Sequence, residues 1–576
     1  MLLFFTKLYN NKQTITLILL SVIFFIVYAW FPAQTALNGV EFASPDEHAN
    51  YFWIGRVAHG EALEYFEPLN VIADDAVVPR SVRSDNGVVK PVSFLGIILI
   101  YGTIAKLLGM WIVPLLTPLF AVVGVLFFYG IFKKIFNKRT ALFSALLFFA
   151  FAPYWYYASR GLFHNVLFVD LVLAGIWLSL RGMERSEMTK QSHEIRGVAV
   201  NTRLPRPEYS GLAMTVMSGI IFGLAIMTRV SELIWLGPAG VIIAAAYCKK
   251  INWRKAILFI AGLLLALTPM LYYNHQLYGS VFSFGYAYNT ANISQQKNNE
   301  IAALRPESLG TPLAMTKAAL PFGFHPRAVW RNFINYYVKI FWYLFWPAFL
   351  GGILFLWKWK EKSKAQKIYF SIFVVISMIL GIYYGSWNIQ DSIALNPITI
   401  GNSYTRYWLP MYILSLPLLA GFVLWLIKFF KNKYARNAVL TLLVVAFGLL
   451  NARAAVFSKG EGLYYAAQNI ALDKERAAQA LALVPEDAVI ATKYFDKYFW
   501  PERKVVSTDL SDARKNQAIA VLLQNEIPVY YYGFIFAPGD FAYMNNVKFR
   551  DAGIELEIIM LDEEAKLGLY KITRAK

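Results

Sequence analysis

The sequence predicts a mainly α, polytopic membrane protein with about 11 transmembrane helices plus a C-terminal extracytoplasmic α/β domain. Three observations predict it. Hydrophobic residues make up 57% of the 576-residue chain and charged residues only 16%, against roughly 25% charged in soluble domains. Apolar runs such as 14–31 and 438–450 replace the missing charge, and runs of about 20 residues cross a bilayer core as helices. After residue 456 the pattern changes to short β-rich runs.

The first apolar run is followed by no small-residue cleavage site, so it is expected to remain as an anchor. The net charge of +19 sits in short clusters between apolar runs. That is the positive-inside pattern and not a nucleic-acid surface, so no nucleic-acid partner is expected. The clusters are Lys133, Lys134, Lys138 and Arg139; Arg181, Arg185, Lys190, Arg196, Arg203 and Arg206; Lys249, Lys250, Arg254 and Lys255; Lys358, Lys360, Lys362, Lys364 and Lys367; and Lys428, Lys431, Lys433 and Arg436. All are expected in the cytoplasm together with the N-terminus. Residues 32–90 hold nine acidic and four basic residues and are expected outside.

Parity decides the reading of 92–109. If it spanned, every later basic cluster would fall outside. An external re-entrant or juxtamembrane helix there restores the charge rule, with its irregular backbone buried against protein. Spans are then expected near 14–31, 110–132, 141–158, 163–180, 211–228, 231–248, 256–273, 335–357, 368–385, 408–427 and 438–456. The domains expected are a transmembrane domain, 1–456, with its first external loop at 32–109, and a soluble extracytoplasmic domain, 457–576. In the latter, a helix at 463–484 and another near 511–525 join strands at 489–496, 504–509, 527–534, 554–561 and 567–572. Its acids are scattered, which points to a non-catalytic role. Cys248 is the only cysteine, so neither an intrachain disulfide nor a thiolate metal site can form.

The first loop opens with Ser44-Pro45-Asp46-Glu47-His48. This is a helix start, with Ser44 as cap, Pro45 at the first position and acids in the first turn. The same geometry fixes a carboxylate at the membrane interface, where it can act as a general base. The loop ends on Lys90-Pro91, and a lysine at that depth either neutralises a lipid phosphate or snorkels. Tyr156, Tyr157, Arg160, His164 and Asn165 mark another outer turn, Arg229 a further one, and Arg406-Tyr407 precedes a late span. Outer-face arginines run against the charge bias, so each needs an anionic ligand or a buried carboxylate.

In this order these residues resemble the membrane-embedded glycosyltransferases of the C superfamily. The nearest groups are the family 39 protein mannosyltransferases and the lipid A aminoarabinose transferases. The resemblance covers roughly residues 10–455 and rests on Asp46-Glu47, Lys90-Pro91, Phe132-Lys133-Lys134-Ile135-Phe136, the run 156–160, Tyr273-Asn274, Gly279, Gly285-Tyr286, and Arg406-Tyr407 with Pro410. It implies inverting transfer of a sugar from a polyprenyl-phosphate carrier to an extracytoplasmic glycan, lipid or protein. Membrane lipid, donor and acceptor are thus the implied partners. By resemblance Asp46, with Glu47 beside it, is the catalytic carboxylate. Lys90, Arg160, Arg229, Arg406 and Tyr407 would bind carrier phosphate, and His48, His164 and Asn165 would contact substrate. Many relatives carry an Asp where this chain has His164-Asn165. No metal ligands are therefore assigned, and cofactor use is left open, a divalent metal included. The Trp-Trp-Asp signature of oligosaccharide transfer to asparagine is missing. The rival readings are a lipid-linked-sugar flippase and a polysaccharide ligase. A flippase is expected to show internal repeats and midplane ionisable residues, and this sequence shows no repeat.

The topology has a direct check. In a Cys248→Ser background, a cysteine placed at Asn137 is expected to react with membrane-impermeant maleimide only after the cytoplasmic side is opened. Labelling from outside in sealed cells would move 92–109 into the set of spans.

Overall fold

The computed structural model describes residues 12–37, 42–195, 207–250, 252–286, 322–389 and 398–575. Residues 287–321 and 390–397, and the part of the second basic cluster at 196–206, lie outside the described residues. Among the described residues nine helices are long and apolar enough to cross a membrane, and eleven if two bent pairs each count as one span. This is a multi-pass membrane protein. The chain forms two compact units. The first holds residues 1–31, 115–272 and 292–465, and the second 32–114, 273–291 and 466–576.

The spans Ile15–Thr35, Met110–Ile135, His164–Gly182, Gly211–Thr228, Val230–Tyr247, Trp253–Tyr278, Lys364–Gly385, Leu409–Phe429 and Lys433–Ala455 fall close to the runs read from sequence. Two runs are not straight. The 141–158 run divides into Lys138–Ala150 and Ala152–Ser159, bent by 52°. Pro153 lacks the N–H that would bond the Phe149 carbonyl, and the helix breaks just before it. Inside a bilayer the freed backbone groups need protein partners. The Tyr28 hydroxyl donates to the Phe149 carbonyl at 2.6 Å, and the Asn451 side-chain oxygen accepts from Ala152 N–H at 2.7 Å. The 335–357 run belongs to a second pair, Pro326–Lys339 and Trp342–Trp357, bent by 100°. A π-helical stretch, Ile334–Lys339, precedes this bend. There the Tyr412 hydroxyl donates to the Tyr336 carbonyl at 2.6 Å. Buried tyrosines thus stand in for the missing backbone partners.

The second unit contains the first loop and the C-terminal region. Helix Pro45–His59 packs on helix Leu95–Leu108, the segment expected not to span. Its 14 residues reach about 21 Å at 1.5 Å per residue, short of a bilayer core of about 30 Å. Gly102 belongs to this contact, since a Cβ there would lie 2.5 Å from Val57 Cβ. Between these helices lie β1 (Tyr65–Phe66), β2 (Val82–Asp85) and β3 (Val88–Pro91), in the order β1-β3-β2. Asn86 and Gly87 turn the β2–β3 hairpin with φ of 49° and 83°, the positive values that this residue pair supplies in two-residue turns.

The C-terminal strands are β4 (Val489–Ala491), β5 (Lys504–Val506), β6 (Val529–Phe534), β7 (Ile554–Asp562) and β8 (Leu567–Arg574), one in each run expected to be a strand. Their order is β5-β4-β6-β8-β7, parallel across β5-β4-β6 and antiparallel from β6 to β7. Its core contains Val489, Ile519, Val529 and Tyr570, and it also takes in Ala73 and Val77 of the first loop.

Arg80 ties the loop down. Its Nε and one terminal nitrogen donate to Asp496 Oδ1 at 3.1 and 2.6 Å, and its backbone N–H donates to Asp496 Oδ2 at 2.7 Å. Asp496 is fully buried. Removing one partner of such a pair strands the other charge in protein. Arg80→Ala is therefore expected to lower stability by about 3 kcal/mol. In limited proteolysis, cleavage at 74–81 should appear at lower protease than in the parent chain.

Candidate active site

The residues singled out from sequence divide between the two units, four in the second and six in the first. In the second, Ser44 caps helix Pro45–His59. Its side chain accepts from Asp46 N–H at 3.2 Å, and Asp46 and Glu47 occupy the first turn. The two carboxylates differ. Glu47 is 1% exposed, whereas Asp46 is only partly buried and accepts a hydrogen bond from the Ser81 hydroxyl. Ser81 has φ of 64° and directly follows Arg80, so the contact that anchors the loop also sets the donor against Asp46. One turn further on, Asn50 accepts from the Ser93 hydroxyl at 2.6 Å.

His48 is not turned toward open solvent. Its ring packs on Phe42 and on Trp500, with centroids 6.2 and 5.7 Å away. Burial pushes its pKa down to about 4, against the opposing pull of the Trp500 backbone hydrogen bond and of Asp496. The imidazole is neutral at physiological pH and serves as an aromatic packing group.

Lys90, on β3, donates to the Leu277 carbonyl at 2.8 Å and pairs with Asp85 at 2.7 Å. An ammonium has three donors, so two are engaged among the described residues. Arg83 lies opposite Lys90 across the hairpin and also pairs with Asp85. Burial works to raise the Asp85 pKa, but hydrogen bonds from Arg83 and Lys90 outweigh it and hold the carboxyl below its usual range. Two cations thus share one carboxylate. Arg83 was not singled out from sequence. The Asn86-Gly87 turn between alternating residues was the signal that could have placed it beside Lys90.

In the first unit, residues from four separate stretches converge. Arg160 ends helix Ala152–Ser159 as its cap and donates to the Tyr156 hydroxyl at 2.7 Å. Phe163 carries the guanidinium of Arg160 on its ring at 5.0 Å and that of Arg406 at 4.4 Å. Asn165 donates to the Arg406 carbonyl at 3.1 Å, and His164, 7% exposed, begins the same helix. Arg229 stands over the Tyr407 ring at 5.1 Å, and Tyr407 stacks on Tyr384 at 4.5 Å. All six expected residues therefore belong to one neighbourhood.

Arg229 has the buried carboxylate that its position required. Its Nε donates to Glu232 at 3.0 Å, a terminal nitrogen pairs with the same oxygen at 2.8 Å, and Tyr384 accepts at 3.2 Å. Glu232 was missed from sequence, although its position three residues on places it one helical turn away. The segment holding Arg406 is fixed by Glu461, which accepts from Gly401 N–H at 3.1 Å, and by the Tyr157 hydroxyl. Among the described residues no group of three or more His, Cys, Asp or Glu is set to hold a metal ion.

Residues 91–200 match the family described as dolichyl-phosphate-mannose-protein mannosyltransferase. The chain is similar to the apo crystal structure of the oligosaccharyltransferase of Archaeoglobus fulgidus, at 14% identity and a TM-score of 0.52, covering 93% of this chain and 70% of that one. It is also similar to ArnT from Cupriavidus metallidurans in the apo state, at 11% identity and a TM-score of 0.50, covering 97% of each chain. No curated protein sequence matches. The chain shares the fold of these two solved structures, and the family matched by residues 91–200 is one of mannosyltransferases.

Proposed function

We propose that the chain moves a sugar from a polyprenyl-phosphate carrier to an extracytoplasmic glycan, lipid or protein, with inversion at the sugar. The observation that carries this reading is the meeting of Arg160, Arg229 and Arg406 around Phe163 and Tyr407. Arginine suits a phosphate because its planar fork presents several donors at once. A membrane protein that places three arginines together on aromatic faces has the means to hold a lipid-linked phosphate. The matched family is named for a donor of that kind, dolichyl phosphate mannose.

In the proposed reaction the bond from the sugar to the carrier phosphate breaks, and a bond from the acceptor oxygen or nitrogen to the same carbon forms. The carrier leaves as polyprenyl phosphate. Arg160 and Arg406 offset the charge that builds on it, and Arg229, tied to Glu232, holds Tyr407 in place. Asp46 takes the acceptor's proton. The greater exposure of Asp46 supports it over Glu47 as the base. The C-terminal domain is proposed to lie outside the cytoplasm and to serve positioning, not bond-making. His164 and Asn165 are proposed to contact the sugar, and His48 to brace the helix that carries Asp46 through its packing on Phe42 and Trp500.

Asp46→Asn keeps the helix cap region intact, because Asn is as good as Asp near a helix start. Transfer from a matched polyprenyl-phosphate sugar in membranes is expected to fall about 100-fold or more. Glu47→Gln should lower it less. Full activity in a folded Asp46→Asn protein would remove the assignment. Carrier translocation without any sugar transfer by the parent protein would favour a flippase.

A further inference from the structure

One cavity at the helix ends is remote in chemistry from sugar transfer. It encloses about 920 Å³ within the first unit. Three inter-helix turns line it. Lys138 and Arg139 come from the first turn, Lys358 and Lys362 from the second, and Lys428, Lys433 and Arg436 from the third. Glu361 is the one carboxylate in the lining. Its pairing with Lys358, at 3.8 Å, leaves the cavity strongly positive.

Helix polarity sharpens the point. Helix N-termini carry partial positive charge and ordinarily gather Asp or Glu. Helices Lys138–Ala150, Lys364–Gly385 and Lys433–Ala455 all begin at this cavity or beside it, and none has an acid in its first turn. Lysines and arginines occupy those turns instead. Burial, with repulsion from Lys358, lowers the Lys362 pKa despite the pull of Glu361. Cations and helix ends repel one another here unless an anion sits among them. The walls above them are apolar, with Leu354, Leu418 and Trp425.

We propose that this cavity binds the phosphodiester headgroup of an anionic phospholipid, with its acyl chains along the apolar wall. Free phosphate would meet the cations but leave that wall without an occupant, which favours the lipid. The three turns are among those expected on the cytoplasmic side, where anionic lipids attract basic residues. The proposal does not depend on the transfer reaction.

Thermal unfolding of the full chain in neutral detergent tests it. Palmitoyl-oleoyl phosphatidylglycerol is expected to raise Tm saturably. The matching phosphatidylcholine and inorganic phosphate should not. In an Arg139→Gln/Lys362→Gln/Arg436→Gln variant the half-saturating phosphatidylglycerol concentration should rise at least about tenfold. A Lys249→Gln/Arg254→Gln control removes cations of another basic cluster, none of them lining the cavity, and should leave it unchanged. If the triple variant does not fold, single Lys362→Gln and Arg436→Gln variants replace it, each weakening the effect about fivefold. Unchanged phosphatidylglycerol response in the cavity variants, equal loss in the control, or an equal Tm rise with phosphatidylcholine or phosphate alone would each overturn the proposal.

Discussion

Asp496 follows Arg80 by 416 residues, yet the two make the contact on which the second unit turns. Asp496 is fully buried, and its charge is met by two guanidinium nitrogens and a backbone N–H of one residue. Such a pair fixes geometry more than it adds stability, because desolvation opposes the attraction. Its effect is to place residues 73–81 in the core of the C-terminal sheet, with Ala73 and Val77 among its buried members. Ser81 then meets Asp46. The domain without an acid–base cluster of its own is therefore tied to the carboxylate that sequence singles out.

The first unit solves a different constraint. Backbone breaks within a bilayer cost several kcal/mol for each unmet polar group, and this chain breaks two spans. Tyr28, Tyr412 and Asn451 supply the missing partners. Aromatic residues, 16% of the chain, thus do more than mark the membrane interface. They also carry the guanidinium groups of Arg160, Arg229 and Arg406 on their rings.

What could be read from the sequence follows the range of the interaction. Apolar runs and basic clusters are local, so the spans and the short helix at 95–108 were legible. So was the start of helix Pro45–His59, where Ser44, Pro45 and the acids each have a local reason. The C-terminal strands were visible as β-rich runs. The bends were not read, although Pro153 offered a local clue to the first. Glu232 and the β2–β3 hairpin also left local signals that went unread. The Arg80–Asp496 and Ser81–Asp46 contacts left none, because nothing in either stretch of chain names its distant partner. The convergence of Arg160, Arg229 and Arg406 was legible only as three separate exceptions to the charge rule.

The anchored loop is proposed to position Asp46 through the Ser81 hydroxyl. Ser81→Gly is the informative substitution, since Gly accepts the positive φ of that position and removes the hydroxymethyl side chain that donates to Asp46. Rates of sugar transfer would be measured for Ser81→Gly, Asp46→Asn and the double variant. A loss of about tenfold is expected for Ser81→Gly, the order of a hydrogen bond to a charged group, with Tm unchanged. The double variant is expected to be no slower than Asp46→Asn alone. Unchanged transfer in Ser81→Gly, or losses that multiply in the double variant, would contradict that positioning.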